Sequence, residues 1–132
     1  MRQSMSKKEF EQIVADVGLS AVPKKFRHKI KNVAFIVEDR PSDTIRLEDG
    51  LQEGETLLGL YQGIPATERG DHYGIGMVLP DTITLYRKPI EEKGSGDKES
   101  IKKIIVETIW HEVAHHFGLD HDTIESRERR IW

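Results

Sequence analysis

The N-terminal part of the chain spaces its apolar residues three and four positions apart, which predicts an amphipathic helix over residues 4–18. Ser6, followed by Glu9 three residues later, resembles a capping box at the start of this helix, and Gly18 is suited to its end. A second, shorter helix is predicted from Pro23 to Ile30, with the proline in its first turn. The apolar positions that define the two helices are Phe10, Ile13, Val14, Val17, Phe26 and Ile30.

Beyond the second helix the pattern changes to short runs of β-branched and aromatic residues bounded by turn residues, which is typical of strands. Three strands are predicted, at Val33–Val37, Thr56–Tyr61 and Ile83–Tyr86. The polar and acidic residues 39–55 favour a loop. Residues 66–76, which hold three glycines, favour a mobile loop or an irregular edge segment.

The longest helical pattern in the chain runs from about Lys98 to Phe117, and Gly118 is well placed to end it. The residues before it, 91–100, favour a flexible connection because they combine glycines with charged residues. Within this connection, Asp97 or Ser100 could cap the helix. The apolar positions of the helix are Ile101, Ile104, Ile105 and Ile109.

The order of these elements predicts the fold class. Residues 122–132 fit one last short helix, so the order along the chain is α-α-β-β-β-α-α. Segregated helices and strands of this kind indicate an α+β fold, with a small mixed sheet packed on helices and the longest helix near the C-terminal end. A length of 132 residues fits one domain, residues 1–132, with one core.

Composition narrows the function classes. Charged residues make up 33% of the chain but the net charge is only -3, which argues against a nucleic-acid or membrane-surface binder. The absence of cysteine excludes disulfides, thiolate metal sites and a thiol nucleophile. No apolar stretch has the length of a signal peptide or of the roughly 18-residue bilayer span, and we therefore expect a cytoplasmic protein.

Four of the six histidines lie within residues 110–121, WHEVAHHFGLDH. His111 and His115 are four residues apart, which places two imidazoles on one helix face, one turn apart. Glu112 points about 100° away, and from there it can reach a water on a metal held by the two histidines. This is the H-E-x-x-H arrangement, in which the histidines bind zinc and the glutamate is a general base.

A catalytic zinc ion usually has three protein ligands and one water, so a third ligand is needed. Gly118 can adopt a positive φ at low cost and turn the chain so that His121 returns toward the metal face. His111, His115 and His121 could then form a three-histidine site with one position left for water. His116 lies about 100° beyond His115, off that face, and is expected to be packed, hydrogen-bonded or exposed.

The run from His111 to His121 matches the extended H-E-x-x-H-x-x-G-x-x-H signature of the metzincin metallopeptidases. Metzincins also carry a methionine turn well downstream, whereas only 11 residues follow His121 here and the methionines are Met1, Met5 and Met77. We therefore expect no methionine turn of the usual kind. The extended motif is therefore shared with metzincins, but the surroundings differ.

As a whole, the chain more closely resembles the small bacterial zincin-like metallopeptidase family. The resemblance rests on the H-E-x-x-H-H-F-G helix and on the segments LLGLYQG, residues 57–63, and LPDTITLYR, residues 79–87. In that family the tenth position after the first histidine is often aspartate. Here it is His121, so Asp120 and Asp122 remain competitors for the third ligand or partners of a ligand histidine.

The resemblance implies a minimal zincin-type domain that uses Zn²⁺ to hydrolyse peptide bonds in a peptide or unstructured protein. It implies that Glu112 carries the proton from water to the leaving amine. Substrates of zincins usually lie along an edge strand, for which Tyr73–Leu79 is the candidate. A domain this small could also need an unknown protein partner. The candidate donors to the oxyanion are His72, Tyr73, Tyr86 and Arg87.

Two other functions stay open on sequence grounds. The first is a zinc-binding interaction module that has the site but does not cleave peptides, and the second is a metal-dependent hydrolase of small amides or esters. Glu112 distinguishes them, because an interaction module does not need a general base.

Overall fold

The computed structural model describes residues 5–30, 32–63 and 79–118. Helix α1 (Lys7–Val17) begins at the predicted capping box, in which Ser6 Oγ accepts the Glu9 N–H at 3.1 Å and the Glu9 carboxylate accepts the Ser6 N–H at 3.3 Å. The four apolar positions predicted for this helix are all buried. The first predicted helix is thus confirmed, and it ends before Gly18, as expected.

The three predicted strands form one mixed sheet in the order β1-β3-β2. Strands β1 (Val33–Glu38) and β3 (Asp81–Tyr86) pair in parallel, whereas β2 (Gly59–Gln62) pairs with β3 in antiparallel orientation. The register places Gly59 opposite Leu85. The sheet is therefore small and mixed, as predicted, although β2 starts three residues later than the pattern indicated.

Two short segments differ from their predicted structure. The second predicted helix is a 3₁₀ helix at Lys24–Lys29 rather than an α-helix. Within the predicted loop 39–55, residues Asp43–Glu48 form helix α2, which begins where Ser42 Oγ accepts the Ile45 N–H. Helix α2 buries none of its residues, so the sequence carries no apolar stripe that could reveal it.

Helix α3 (Arg87–Lys93) was also missed, since part of it lies in the segment predicted as a flexible connection. It follows β3 directly and buries Pro89 and Ile90. Its buried Arg87 pairs with Glu91 one turn later at 2.8 Å. Two oppositely charged residues on the inner face hide the apolar periodicity from which a helix is recognised.

Helix α4 (Lys98–Phe117) has the predicted bounds. Asp97 caps its start by accepting the Ser100 N–H at 2.9 Å. At its end Gly118 adopts φ 64°, a left-handed conformation that glycine takes without the penalty of a Cβ atom. The chain therefore leaves the helix sharply after Phe117, as the glycine predicts.

The core lies where α1 and α4 pack against the sheet. Phe10 from α1, Leu85 from β3 and Ile105 from α4 are all fully buried in one continuous apolar cluster. Helices segregated from a small mixed sheet confirm the predicted α+β class. The predictions for residues 66–76 and 122–132 fall outside the described residues.

Over residues 5–30, 32–63 and 79–118, no helix combines the length and the apolar character needed to cross a membrane.

Candidate functional site

The C-terminal half of α4 and strand β2 line an open cavity of about 400 Å³. Strand β2 forms one side of the cavity, and the candidate metal-binding and catalytic side chains of α4 lie on the other side. The described residues that line the cavity are Asp49, Leu57, Gly59, Leu60, Tyr61, His111, Glu112, His115 and His116. The cavity is thus lined by both histidines and the glutamate of the H-E-x-x-H motif.

His111 and His115 present their imidazole rings to this cavity from consecutive turns of α4. Their ring centroids lie 6.2 Å apart, and the two rings are tilted by 59°. Two imidazoles on consecutive turns of one helix are the nitrogen donors that would hold a zinc ion. His111 is 3% exposed whereas His115 is exposed, so the pair spans the cavity from its floor to its opening. The donor type therefore fits zinc.

Glu112 is tied to the neighbouring strand. Its Oε1 accepts the backbone N–H of Tyr61 at 3.1 Å, across the interface between α4 and β2. An N–H aimed at a carboxylate oxygen stabilises the negative charge and fixes the orientation of the side chain. The carboxylate of Glu112 is therefore held at the cavity wall, beside the two histidines.

Gly59 allows β2 to lie this close to α4. A Cβ atom at Gly59 would lie 2.7 Å from Thr108 Cγ2 and 3.0 Å from the carbonyl oxygen of Thr84. Thr108 is fully buried and precedes His111 by one turn of α4. This role of Gly59 was not predicted, although a glycine inside an apolar strand pattern is a signal of close backbone approach.

The side chain of Tyr61 connects the strand to the end of the helix. Its hydroxyl donates to Asp81 Oδ2 at 2.7 Å, and its ring stacks on His116 with centroids 3.9 Å apart. His116 was expected to be packed, hydrogen-bonded or exposed; it is exposed, and its ring stacks on Tyr61 while it lines the cavity. Its pKa is lowered by burial and then by the neighbouring charge of His115. Neither Tyr61 nor Asp81 was singled out by the sequence.

The structure corrects the prediction that Arg87, one of the four candidates, could donate to the oxyanion. Its guanidinium pairs with Glu91 at 2.8 Å and with Asp39 at 3.2 Å, and it also donates to the carbonyl oxygen of Met5. These contacts tie α3 to β1 and to the N-terminal segment. Arg87 is buried for a structural reason, and it does not line the cavity.

Tyr86 also lies behind the cavity wall rather than in it. Its side chain is 2% exposed, and it is not among the residues that line the cavity. Burial, followed by the negative charges of Glu38, Asp49 and Glu112, raises the pKa of Tyr86 to about 12. His72 and Tyr73, the other two candidates, are outside the described residues.

The residues predicted to supply a third metal ligand lie outside the described part of the chain. His121 and its competitors Asp120 and Asp122 follow Gly118, and the predicted edge Tyr73–Leu79 is described only at Leu79. Among the residues whose positions are described, no group of three or more metal-binding side chains is found. The described site therefore supplies two histidines and one glutamate.

A comparison with models of known protein families assigns the chain to a family. The model of the zincin-like metallopeptidase family matches residues 30–131. The chain belongs to this family. The matched residues contain all three strands, α4 and every cavity-lining residue, whereas α1 lies outside the match. Membership in a zincin-like family implies that the protein binds zinc and is a hydrolase. None of the curated proteins compared with the chain matches it.

Proposed function

We propose that the protein is a zinc-dependent peptidase in which His111, His115 and His121 hold the metal and Glu112 is the general base. The observation that carries the proposal is the position of Glu112. Its carboxylate is anchored by a backbone amide of β2 and lies in the same cavity as His111 and His115. The match to the zincin-like metallopeptidase family supports the reaction class.

The ligand set suits the metal. Two histidines from one helix and a third after the glycine turn would provide three neutral nitrogen donors, which leaves one position open. Gly118 supports this assignment, because its left-handed conformation ends α4 before the chain could carry His121 a further turn along the helix axis. Zinc bound there supplies Lewis acidity toward a water molecule and the scissile carbonyl.

Glu112 moves the proton. Its carboxylate takes a proton from the attacking water and then donates it to the nitrogen of the leaving amine, so that the C–N bond breaks as a neutral amine departs. This transfer needs a base in a fixed position. The Tyr61 N–H holds one carboxylate oxygen at 3.1 Å and so limits rotation of the side chain. A general base of this kind contributes roughly 10²- to 10⁴-fold to the rate.

The cavity suits short lengths of extended peptide. Its volume of about 400 Å³ falls at the lower end of the range of ligand pockets, which is roughly 300–1,000 Å³. A cavity of this size holds a few residues around the scissile bond rather than a folded domain. We therefore propose peptides and unstructured protein segments as substrates.

The proposal is tested by cleavage of a diverse pool of unstructured peptides with zinc-loaded protein. Zinc-loaded Glu112→Gln should lose roughly 10²- to 10⁴-fold in kcat and bind zinc as the unaltered protein does, since the amide oxygen of glutamine can still accept the Tyr61 N–H. Glu99→Gln is the matched control, because Glu99 lies in the first turn of the same helix and outside the cavity.

Two results would contradict the proposal. If the zinc-loaded protein cleaves no peptide, a zinc-binding interaction module becomes the better description. If cleavage persists in Glu112→Gln, the base is another group.

A further inference from the structure

We infer that Asp49, together with Leu57 and Leu60, forms a subsite that accepts a lysine or arginine side chain of the substrate. The inference rests on the proposed peptidase function and names its substrate class. All three residues line the cavity that holds Glu112 and the two histidines. Asp49 follows the end of α2, Leu57 lies between α2 and β2, and Leu60 lies in β2.

The position of Asp49 is fixed by the end of α2. Its backbone N–H donates to the carbonyl oxygen of Ile45 at 3.0 Å. The chain then turns at Gly50, with φ 67°, and the Leu51 N–H donates to the carbonyl oxygen of Arg46 at 2.9 Å. This is a helix C-terminal motif that orders the backbone on both sides of Asp49. The carboxylate is thus presented from an ordered position.

The charge of Asp49 has no internal partner among the described residues. None of the ion pairs or hydrogen bonds found in residues 5–30, 32–63 and 79–118 uses its carboxylate. The described lining of the cavity includes the carboxylates of Asp49 and Glu112 but no lysine or arginine. Both carboxylates also raise the pKa of the buried Tyr86, so they act on the same region. This part of the cavity therefore attracts cations.

Leu57 and Leu60 add an apolar surface beside this charge. Both leucines are half-buried and line the same cavity as Asp49. Lysine and arginine carry a charged group at the end of an apolar stem, and they bury the stem on apolar surface while the charge stays in a polar environment. An apolar wall with a carboxylate matches that chemistry. A glutamate side chain would meet the like charge of Asp49.

The test uses peptides that are identical except at one position, which holds lysine, arginine, norleucine or glutamate in turn. The position is moved along both sides of the cleaved bond. At one position, lysine and arginine should exceed norleucine by roughly three- to fivefold in kcat/KM at low salt, since an exposed ion pair contributes up to about that factor. The preference should fade in 1 M salt, where the Debye length is about 3 Å.

Variants of Asp49 test whether the preference for lysine and arginine depends on this residue. Asp49→Asn should bring the lysine-to-norleucine ratio close to one through KM, with kcat unchanged, because the pair forms in the bound substrate as well as in the transition state. Asp49→Lys should favour the glutamate peptide instead. Glu48→Gln is the matched control, since Glu48 is the exposed neighbour of Asp49 and does not line the cavity. It should leave the ratio unchanged.

Binding of the same peptides to the metal-free protein, measured by fluorescence anisotropy, separates this inference from the proposed function. Tighter binding of the lysine peptide that depends on Asp49 supports the subsite even if no peptide is cleaved. Cleavage without a preference for basic residues, or a preference that survives in Asp49→Asn, overturns the subsite and leaves the peptidase intact. If no peptide is bound or cleaved, the subsite is overturned together with the function.

Discussion

The backbone N–H of Tyr61 donates to Glu112 Oε1 at 3.1 Å, although the two residues are 51 positions apart in the chain. Tyr61 lies in β2 and Glu112 in α4, so this bond couples the strand to the candidate base. The same tyrosine donates its hydroxyl to Asp81 in β3 and stacks its ring on His116 in α4. The position of the base therefore depends on how β2 is held.

Removing the Tyr61 hydroxyl should loosen this arrangement without removing the ring. Tyr61→Phe keeps the stacking surface for His116 but loses the 2.7 Å hydrogen bond to the Asp81 carboxylate. Hydrogen bonds to charged groups contribute about 1.5–3 kcal/mol, so the free energy of unfolding should fall by about that amount. Chemical denaturation measures it. Tyr61→Leu, which also loses the stacking, should cost more; equal stability of Tyr61→Phe and the unaltered protein would refute the role.

A methyl group at Gly59 should force β2 away from α4. Its Cβ would lie 2.7 Å from Thr108 Cγ2 and 3.0 Å from a backbone carbonyl oxygen that cannot move freely. Gly59→Ala should therefore destabilise the fold by about 1–3 kcal/mol and lower the activity through displacement of Glu112. Thermal unfolding and kcat measure the two effects.

The comparison for this variant is Gly63→Ala, where the added Cβ meets chiefly the ring of His116, at 3.1 Å. A side chain can shift more readily than backbone, so the loss of stability should be smaller at Gly63. The packing argument fails if the two variants are equally stable.

Zinc affinity should depend on His121 if the ligand assignment is right. Loss of a partner outside the coordination shell typically lowers metal affinity by 10- to 100-fold, and loss of a direct ligand should lower it by about 100-fold or more. We expect this of His121→Ala in competition with a chelator of known affinity. His28→Ala is the control, because His28 is exposed on the 3₁₀ helix. An unchanged affinity in His121→Ala, with a loss in Asp120→Ala or Asp122→Ala, would reassign the ligand.

The raised pKa of Tyr86 predicts a loss of stability at high pH. The pKa is 10.0 for an unperturbed tyrosine and about 12 for the folded protein, mainly because of burial. Between these values the unfolded chain has released the proton and the folded protein still holds it. The free energy of unfolding that this group contributes is therefore fully present below pH 10 and falls as the pH rises toward 12, by about 2–3 kcal/mol in all.

Tyr86→Phe removes the group that titrates, so its free energy of unfolding should depend less steeply on pH over this window. Denaturant unfolding of both proteins at a series of alkaline pH values gives the two slopes. Identical slopes would show that Tyr86 ionises as it does in the unfolded chain.

Local features of the sequence were sufficient for the elements whose signals lie within a few residues. The capping box of Ser6 and Glu9, and the glycine that ends α4, depend on contacts between near neighbours, and both were predicted. Helices α2 and α3 were missed because α2 buries nothing and α3 buries an ion pair, so neither shows an apolar stripe.

The candidate chemistry was also visible in the sequence, because the histidines and the glutamate are placed by the period of a single helix. The sequence by itself determined the α+β class, α4, and the spacing of His111, Glu112 and His115. Only the tertiary structure decided what surrounds them. Pairing of β2 with β3 and its close approach at Gly59 bring Tyr61 to Glu112, and the end of α2 brings Asp49 to the same cavity. These contacts join residues at least 20 positions apart, and a local periodicity does not reveal such pairings.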